Sequence, residues 1–318
     1  MRIPYRRLGS SGIWVSELCL GTMQFKWTAT ERDSYRVMDL FLESGGNFID
    51  TADCYTFWHE GLKGGEAETI IGKWMKRRRN RRGIFLATKT MIRMWEGATG
   101  QGLSRAHIVK SVEDSLRRLQ TDSIDLLQAH WPDMSVPNEE TLRAFDDVVR
   151  SGKVHCIGCS NYSSGLLAEA MVLARHGGFP KFVSIQPKYN LVNRQFEKDH
   201  AWLVKKYDLG VIPYSPLQGG FLTGKYRKGK PLPRSLRAKG LKSLMTEKNL
   251  RIVETLARLG RRRGKSVLQM ALGWHLSHDW MTAPIVGANT PSQLKESLGA
   301  AGLKLTPGEI AELDKVSS

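Results

Sequence analysis

Short apolar or β-branched runs alternate along this sequence with longer amphipathic stretches. This alternation predicts strand–helix units whose strands form a parallel sheet. The predicted strands are Leu18–Gly21, Phe48–Asp50, Ile84–Lys89, Ile124–His130, Val154–Ser160, Phe182–Gln186, Gly210–Tyr214 and Ala283–Val286. At the amino terminus, Tyr5–Leu8 and Val15–Leu18 flank the turn-forming segment Gly9–Gly12 and predict a β-hairpin.

The amphipathic stretches predict a helix after most of these strands. They are Arg32–Ser44, Ala67–Arg79, His107–Leu119, Glu139–Ser151, Leu166–Arg175, Ala201–Tyr207, Lys248–Arg262 and Ser266–Ser277. Gly45, Gly152 and Gly264 follow predicted helices, at positions where a left-handed residue ends a helix. An open doubly wound sheet would carry a glycine-rich phosphate loop after its first strand, and Leu20–Phe25 is not such a loop. We therefore predict a single-domain α/β fold over residues 1–318, a (β/α)₈ TIM barrel with an N-terminal hairpin.

The composition is that of a globular protein, with 41% hydrophobic and 25% charged residues. No apolar run reaches the roughly 20 residues needed to span a bilayer. The first residues lack the apolar core of a signal peptide. We therefore expect a cytoplasmic protein that does not associate with a membrane.

The net charge of +17 comes largely from three basic clusters, Lys73–Arg82, Lys225–Lys242 and Arg258–Lys265. Nucleic-acid binding would be one explanation, but no RNA-stacking motif, zinc finger or helix-turn-helix accompanies the clusters. We interpret the first and the last as solvated helix ends. The middle cluster lies in a Pro/Gly-rich stretch and is better explained by an anionic cofactor.

Two pairs of residues resemble metal or redox motifs. Cys156 and Cys159 form a C-x-x-C sequence, but in a strand residues three apart point to opposite faces. We therefore expect core thiols. His275 and His278 lie three apart on a predicted helix without an acidic or thiol neighbour in sequence, and we interpret them as ordinary helix residues.

Polar side chains end six successive predicted strands. They are Asp50, Lys89, His130, Ser160 with Asn161, Gln186 and Tyr214. In (β/α)₈ barrels the catalytic groups collect at the carboxyl ends of the strands. One polar strand end would mean little, whereas six on the same rim predict an active site.

Tyr55, in the loop after Asp50, completes a chemically sensible set. A free tyrosine has a pKa of about 10, and a neighbouring Lys89 ammonium would favour the phenolate and lower that pKa. Asp50 would keep Lys89 charged, while His130 would orient or polarise a substrate oxygen. Each residue alone has an ordinary structural explanation, but the set suits protonation of a carbonyl oxygen as hydride arrives.

The segment Gly46–Tyr55, GNFIDTADCY, resembles the first signature of the aldo-keto reductases, in their bacterial-type or channel β-subunit-like branch. Further segments resemble the family in the same order: Leu8–Met23, Leu86–Lys89, Asp125–His130, Gly152–Asn161 and Pro284–Glu296. The resemblance implies a catalytic tetrad of Asp50, Tyr55, Lys89 and His130, with Tyr55 as general acid. It implies NADPH-dependent, reversible reduction of aldehydes or ketones to alcohols.

The resemblance also implies a cofactor site. Its residues would be Gly21, Thr22, Met23, Ser160, Asn161, Gln186, Tyr214, Ser215, Leu217, Gly219, Thr223, Lys225, Arg237, Gly287, Asn289, Gln293 and Glu296. Within this set, Ser160, Asn161 and Gln186 would bind the nicotinamide carboxamide, and Tyr214 would stack on its ring. Residues 215–225 would fold over the pyrophosphate, residues 287–296 would bind the adenosine, and Lys225 and Arg237 would bind the 2′-phosphate. Many relatives carry Arg where Asn289 stands, so NADH is possible but less favoured.

Four tryptophans lie just beyond predicted strand ends: Trp27, Trp58, Trp95 and Trp131. They would either pack loops onto the barrel or line an aromatic pocket for a small aromatic or hydrophobic carbonyl substrate. A second functional hypothesis is a regulatory subunit that senses the nicotinamide cofactor and turns over slowly.

Overall fold

The computed structural model describes residues 2–226 and 239–318 of the chain. An N-terminal hairpin pairs strand β1 (Tyr5–Arg7) with strand β2 (Trp14–Ser16). Eight further strands within the described residues form one parallel sheet. They are β3 (Cys19–Gly21), β4 (Phe48–Asp50), β5 (Phe85–Thr90), β6 (Ile124–Ala129), β7 (Val154–Ser160), β8 (Phe182–Gln186), β9 (Gly210–Val211) and β10 (Ile285–Gly287).

The sheet follows the chain from β3 to β9, and β10 pairs with β3 at its other edge. Backbone hydrogen bonds also join the two edges. The N–H of Ile285 donates to the carbonyl of Pro213 at 2.9 Å, and that of Thr282 donates to the carbonyl of Val211 at 3.0 Å. The predicted (β/α)₈ barrel with its N-terminal hairpin is confirmed.

Helices surround the barrel. They are α1 (Glu31–Glu43), α2 (Glu66–Arg78), α3 (Arg105–Leu119), α4 (Asn138–Arg150), α5 (Ser164–Gly177), α6 (Gln195–Tyr207), α7 (Glu247–Arg263), α8 (Val267–Leu276), α9 (Pro291–Leu298) and α10 (Pro307–Ser317). All eight predicted helices are present, although α6 begins six residues earlier than predicted, at Gln195 instead of Ala201. Gly45, Gly152 and Gly264 follow helices with φ values of 85°, 75° and 61°, as predicted.

The sequence analysis missed the last two helices, α9 and α10. Each begins with a threonine N-cap followed by a proline, Thr290-Pro291 and Thr306-Pro307. Both residues favour a helix start, because the threonine hydroxyl accepts a hydrogen bond from a free backbone N–H and proline lacks the N–H that would have no partner there.

Alternation along the strands places the polar strand ends directly above an apolar barrel interior. Phe48, Phe85 and Leu126 belong to the interior cluster, which is separate from the larger cluster between sheet and helices. Because strand side chains alternate between faces, Asp50 and Gln128, two residues further on, also face inward.

The hairpin closes the amino-terminal end of the barrel. Leu8 and Val15 are fully buried in the interior cluster. Gly9 has a φ of 50°, and a Cβ there would lie 2.4 Å from the backbone nitrogen of Gly210. Only glycine fits this contact between the hairpin turn and β9. With this end closed, the carboxyl ends of the strands form the other rim.

The two cysteines of the C-x-x-C sequence lie on opposite faces of β7, as predicted. Cys156 packs against the interior cluster, whereas Cys159 belongs to the outer cluster. Both are free thiols. Their placement confirms a packing role.

The predicted helix histidines also pack into the structure. His275, in α8, is fully buried, and its Nε2 lies 3.4 Å from the carbonyl of Pro216. Nδ1 of His278 lies 2.8 Å from the carbonyl of Trp274. Neither histidine belongs to a group of possible metal ligands within the described residues.

The first and the last of the three basic clusters coincide with helix ends. The last turn of α2 contains Lys76, Arg77 and Arg78, and residues 261–263 at the end of α7 are all arginine. Cations are favoured there because the helix dipole is negative at its C-terminus. Most of the middle cluster, Lys225–Lys242, lies outside the described residues, which omit residues 227–238. None of the described helices is long and apolar enough to cross a membrane.

Candidate active site

The side chain of Lys89 lies at the centre of the carboxyl-end rim. Its Nζ donates hydrogen bonds to Oδ2 of Asp50 at 2.6 Å, to the carbonyl of Thr51 at 2.7 Å and to the hydroxyl of Tyr55 at 3.0 Å. Lys89 and Asp50 are each 1% exposed. The structure therefore brings three of the predicted catalytic residues into direct contact.

This environment keeps Lys89 charged. Burial favours the neutral amine and lowers the pKa, but the Asp50 carboxylate and the Tyr55 hydroxyl outweigh it, and the pKa of Lys89 is raised. A buried ammonium paired with a carboxylate is the source of positive charge that the sequence analysis required beside Tyr55.

The pKa of Tyr55 shifts in the direction opposite to that expected from sequence. Burial raises it, and this effect outweighs the attraction of Lys89, which lowers it. Tyr55 therefore keeps its proton at neutral pH. Lys89 makes the loss of that proton less costly than it would be in the same buried site without an ammonium.

His130 directly follows β6, and its ring centroid lies 6.1 Å from that of Tyr55. Nδ1 of His130 lies 3.6 Å from Sγ of Cys54. Burial lowers the pKa of His130 to about 3, and the charge of Lys89 acts in the same direction. The imidazole is therefore neutral at physiological pH, with one nitrogen as donor and the other as acceptor.

The second oxygen of Asp50 is bound by two buried amides. Oδ1 accepts hydrogen bonds from Nε2 of Gln128 at 3.0 Å and from Nε2 of Gln186 at 2.9 Å. Gln128 was missed from sequence, although its inward position two residues after Leu126 was a usable signal. Gln186 was expected at the nicotinamide carboxamide. It is only 2% exposed, and its Nε2 donates to Asp50.

Three other predicted cofactor residues meet where β6, β7 and β9 end. The hydroxyl of Tyr214 donates to Oδ1 of Asn161 at 2.9 Å. Nδ2 of Asn161 donates to Oγ of Ser160 and to the carbonyl of His130, both at 3.0 Å. This group therefore connects the aromatic ring expected under the nicotinamide with the backbone of a predicted catalytic residue.

Gly21, Thr22 and Met23 lie at the end of β3, on the other side of Asp50. The backbone N–H and the hydroxyl of Thr22 both donate to the carbonyl of Asp50, at 3.1 and 3.0 Å. Gly21 and Thr22 are buried and Met23 is partly exposed. Met23 is thus the accessible member of this group.

The segment from Ser215 to Lys225 is tightly turned. Five of its residues have left-handed backbones: Ser215, Gln218, Gly219, Gly220 and Gly224. Thr223 donates its hydroxyl to the carbonyl of Gly220 at 2.8 Å, and Leu217 is partly exposed. A Cβ on Gly220 would lie 3.3 Å from Nζ of Lys225, so the exposed ammonium lies over this turn. Arg237, the other predicted phosphate ligand, lies outside the described residues.

The predicted adenosine segment adjoins the loop after β3. The hydroxyl of Thr28 donates to Oδ1 of Asn289 at 2.8 Å, and the backbone N–H of Asn289 donates to Oε1 of Gln293 at 2.9 Å. Gly287 and Glu296, in the same segment, are exposed. Thr28 was missed, because it lies 261 residues from Asn289 in sequence.

An aromatic cluster lies beside Tyr55. Trp58 makes edge contacts with Trp27 and Phe57, each with ring centroids 5.5 Å apart, and with Tyr55 at 6.3 Å. Trp58 is 41% exposed, so these rings form a surface and not a core. Trp131, which follows His130 in the chain, is 47% exposed.

The fourth predicted pocket residue, Trp95, has different neighbours. Its ring stacks on His107 with centroids 4.7 Å apart, and its Nε1 donates to the hydroxyl of Thr99. These contacts are those of a residue that packs its own loop onto α3, which was one of the two interpretations of the tryptophans.

The loop after Tyr55 is anchored at both ends. The hydroxyl of Thr56 contacts Glu66 and the carbonyl of Tyr55, and the backbone N–H of Lys63 donates to Oε1 of Glu66 at 3.0 Å. Glu66 begins α2. The loop that carries Phe57 and Trp58 is therefore fixed to the start of that helix.

The chain resembles known proteins over nearly its whole length. The family model described as "Aldo/keto reductase family" matches residues 17–318. A protein named "uncharacterized oxidoreductase YrpG" from Bacillus subtilis is 37% identical over 308 residues, covering 95% of this chain and 92% of its own length. Norsolorinic acid reductase from Aspergillus flavus is 33% identical, covering 98% and 81%. L-glyceraldehyde 3-phosphate reductase from Escherichia coli is 31% identical, covering 99% and 92%.

Proposed function

Because this chain belongs to the aldo/keto reductase family, we propose that it reduces aldehydes or ketones to alcohols with NADPH, reversibly, and that Tyr55 supplies the proton. The observation that carries the proposal is the buried Lys89 ammonium, which contacts both the Asp50 carboxylate and the Tyr55 hydroxyl. That contact provides both a proton and the means to stabilise the charge left behind.

When bound, NADPH would supply the hydride that forms the new C–H bond. The carbonyl oxygen then gains negative charge, and Tyr55 transfers its proton to that oxygen, which completes the alcohol. Lys89 stabilises the resulting phenolate, and Asp50 holds Lys89 in place and charged. His130, as a neutral imidazole, donates a hydrogen bond that orients the carbonyl oxygen.

The residues present suit a dinucleotide. The Tyr214 ring is partly exposed beside Asn161, whose amide is of the type that binds a carboxamide. The tight turns between Ser215 and Gly220 are of the kind that presents backbone N–H groups to phosphate. The exposed ammonium of Lys225 suits the additional 2′-phosphate of NADPH, so we favour NADPH over NADH.

The aromatic surface beside Tyr55 supports an aromatic or hydrophobic carbonyl substrate. Trp27, Phe57 and Trp58 offer adjacent ring faces and edges next to the proposed proton donor. Rings of this kind bind flat apolar groups by stacking and by burial of apolar surface. Two of the relatives are named for very different substrates: norsolorinic acid reductase and L-glyceraldehyde 3-phosphate reductase. For this chain, the aromatic surface favours an apolar substrate.

This proposal is tested by following the oxidation of NADPH with a phenyl-bearing aldehyde and with glyceraldehyde. We expect a higher kcat/KM for the phenyl-bearing aldehyde. The Trp58→Ala variant should lose that preference while retaining turnover of glyceraldehyde, and Trp202→Ala, an exposed tryptophan on the outer helix α6, should match the wild type. Tight NADPH binding without turnover of any carbonyl would instead support the cofactor-sensing subunit.

A further inference from the structure

Cys54 lies between the proposed catalytic residues without a role in the proposed reaction. It immediately precedes Tyr55 in the chain, is 2% exposed, and its Sγ lies 3.6 Å from Nδ1 of His130. Among residues 2–226 and 239–318, this is the one hydrogen-bonding contact that the His130 ring makes with another side chain. One short loop therefore supplies both Tyr55 and a contact to His130.

The state of each partner decides which one donates. Burial raises the pKa of the Cys54 thiol, Asp53 raises it further and Lys89 opposes this, with a net rise. Cys54 thus keeps its S–H. Burial and Lys89 keep His130 neutral, as described above. A neutral imidazole has one N–H and one acceptor nitrogen, and the partner of one nitrogen decides which is which.

A third titratable side chain, Asp53, lies beside this contact. One of its carboxyl oxygens, Sγ of Cys54 and a ring nitrogen of His130 lie within 4.8 Å of one another. Burial raises the pKa of Asp53, and Glu68 raises it further. Lys89, whose ammonium is held by Asp50, is the cation that acts on both Cys54 and His130. Burial is the largest cause of both pKa shifts, so neither the thiol nor the imidazole ionises at neutral pH.

From the 3.6 Å contact, we infer that the Cys54 S–H donates to Nδ1 of His130 and thereby holds the imidazole proton on Nε2. Cys54 is then a positioning residue that acts through His130. A thiol is a weak hydrogen-bond donor. Even so, a ring nitrogen that accepts this hydrogen bond does not carry the imidazole proton, so the proton is on Nε2.

This assignment gives His130 the form that the proposed reaction needs, and in this respect it rests on the proposed function. An Nε2–H donates to a carbonyl oxygen and stabilises the charge that develops there. The other tautomer would present a lone pair to that oxygen and would repel it. Cys54 would thus fix the chemical form of His130 and, through one loop, its position relative to Tyr55.

The tautomer is measurable without any substrate. Long-range ¹H–¹⁵N correlation spectra of protein labelled at histidine distinguish Nε2–H from Nδ1–H rings, and the His130→Gln variant identifies the His130 signals by their loss. We expect the wild type to show the Nε2–H form at neutral pH. An Nδ1–H ring in the wild type would overturn the inference, whether or not the protein reduces carbonyls.

Variants of Cys54 test whether the cysteine is the cause. Cys54→Val removes the donor at similar volume and should give a mixture of tautomers. Loss of one such hydrogen bond should lower kcat roughly 2- to 10-fold, with little change in NADPH affinity. Cys54→Ser, which keeps a donor, should restore the Nε2–H form and most of kcat.

The control is Cys159→Val, which removes another buried thiol from the outer face of β7. It should leave the His130 spectrum and kcat as in the wild type. A Cys54→Val protein with an unchanged Nε2–H spectrum would overturn the role of the cysteine. If the spectra follow the expectation and no carbonyl is reduced, the inference stands and the proposed function fails.

Discussion

Nζ of Lys89 lies 2.6 Å from Oδ2 of Asp50, and the two side chains are almost completely buried. Removing one member of such a pair leaves the other as an uncompensated charge in a poorly solvating interior. The Asp50→Asn variant should therefore lower the free energy of unfolding by about 3–5 kcal/mol. Adding Lys89→Met to that variant should recover part of the loss.

Urea unfolding of Asp50→Asn, of Lys89→Met and of the double variant measures this coupling. Glu139→Gln serves as a control, because Glu139 pairs with Arg143 on an exposed face of α4 and both side chains are more than half exposed. Its effect should stay within about 1 kcal/mol. If Asp50→Asn cost no more than the control, the buried pair would not be the electrostatic centre of the site.

The lowered pKa of His130 makes stability depend on pH. The folded protein has a value of about 3 at this residue, against about 6.5 in an unfolded chain. Between these values the unfolded chain binds a proton that the folded protein does not, so the free energy of unfolding falls as the pH falls. His130→Gln should flatten this dependence by about 1.4 kcal/mol per pH unit between about pH 4 and pH 6.

Unfolding in urea at a series of pH values tests this expectation. His176→Gln, an exposed histidine on α5, should leave the wild-type slope unchanged. A His130→Gln slope equal to that of the wild type would mean that the pKa of His130 is the same in the folded and the unfolded chain. Burial and the charge of Lys89 would then not be what keeps the imidazole neutral.

Lys225 should distinguish the two nicotinamide cofactors. Its ammonium lies over the turn at Gly220 and is exposed. A charge-assisted bond to the 2′-phosphate would make Lys225→Ala weaken NADPH binding by roughly 10-fold and NADH binding much less. Titration by tryptophan fluorescence measures both affinities, with Lys205→Ala on α6 as the control. Equal weakening of the two cofactors would remove the case for 2′-phosphate recognition.

Much of this fold is visible in the sequence because it depends on short-range periodicity. The alternation that defines the barrel strands also places Asp50 and Lys89 on the inner face, and it would have placed Gln128 there too. The two missed helices begin with threonine and proline, so their signals were local and could have been used.

Other parts of the site depend on contacts between distant segments. The bond between Thr28 and Asn289 joins two loops that no local pattern relates. The contact between Cys54 and His130 depends on how the loop after β4 lies against the end of β6. The pKa of Tyr55 was expected to fall, but the depth of burial that raises it is set by the whole fold.

The central claim, that Tyr55 gives the proton to a carbonyl oxygen, is tested most directly by the kcat of Tyr55→Phe with NADPH and a phenyl-bearing aldehyde. The control is Tyr35→Phe, which removes a hydroxyl that contacts Glu31 on the same helix, α1. We predict a loss of roughly 10²- to 10⁴-fold in kcat for Tyr55→Phe, with NADPH affinity unchanged and Tyr35→Phe equal to the wild type. Wild-type turnover by Tyr55→Phe would show that another group supplies the proton.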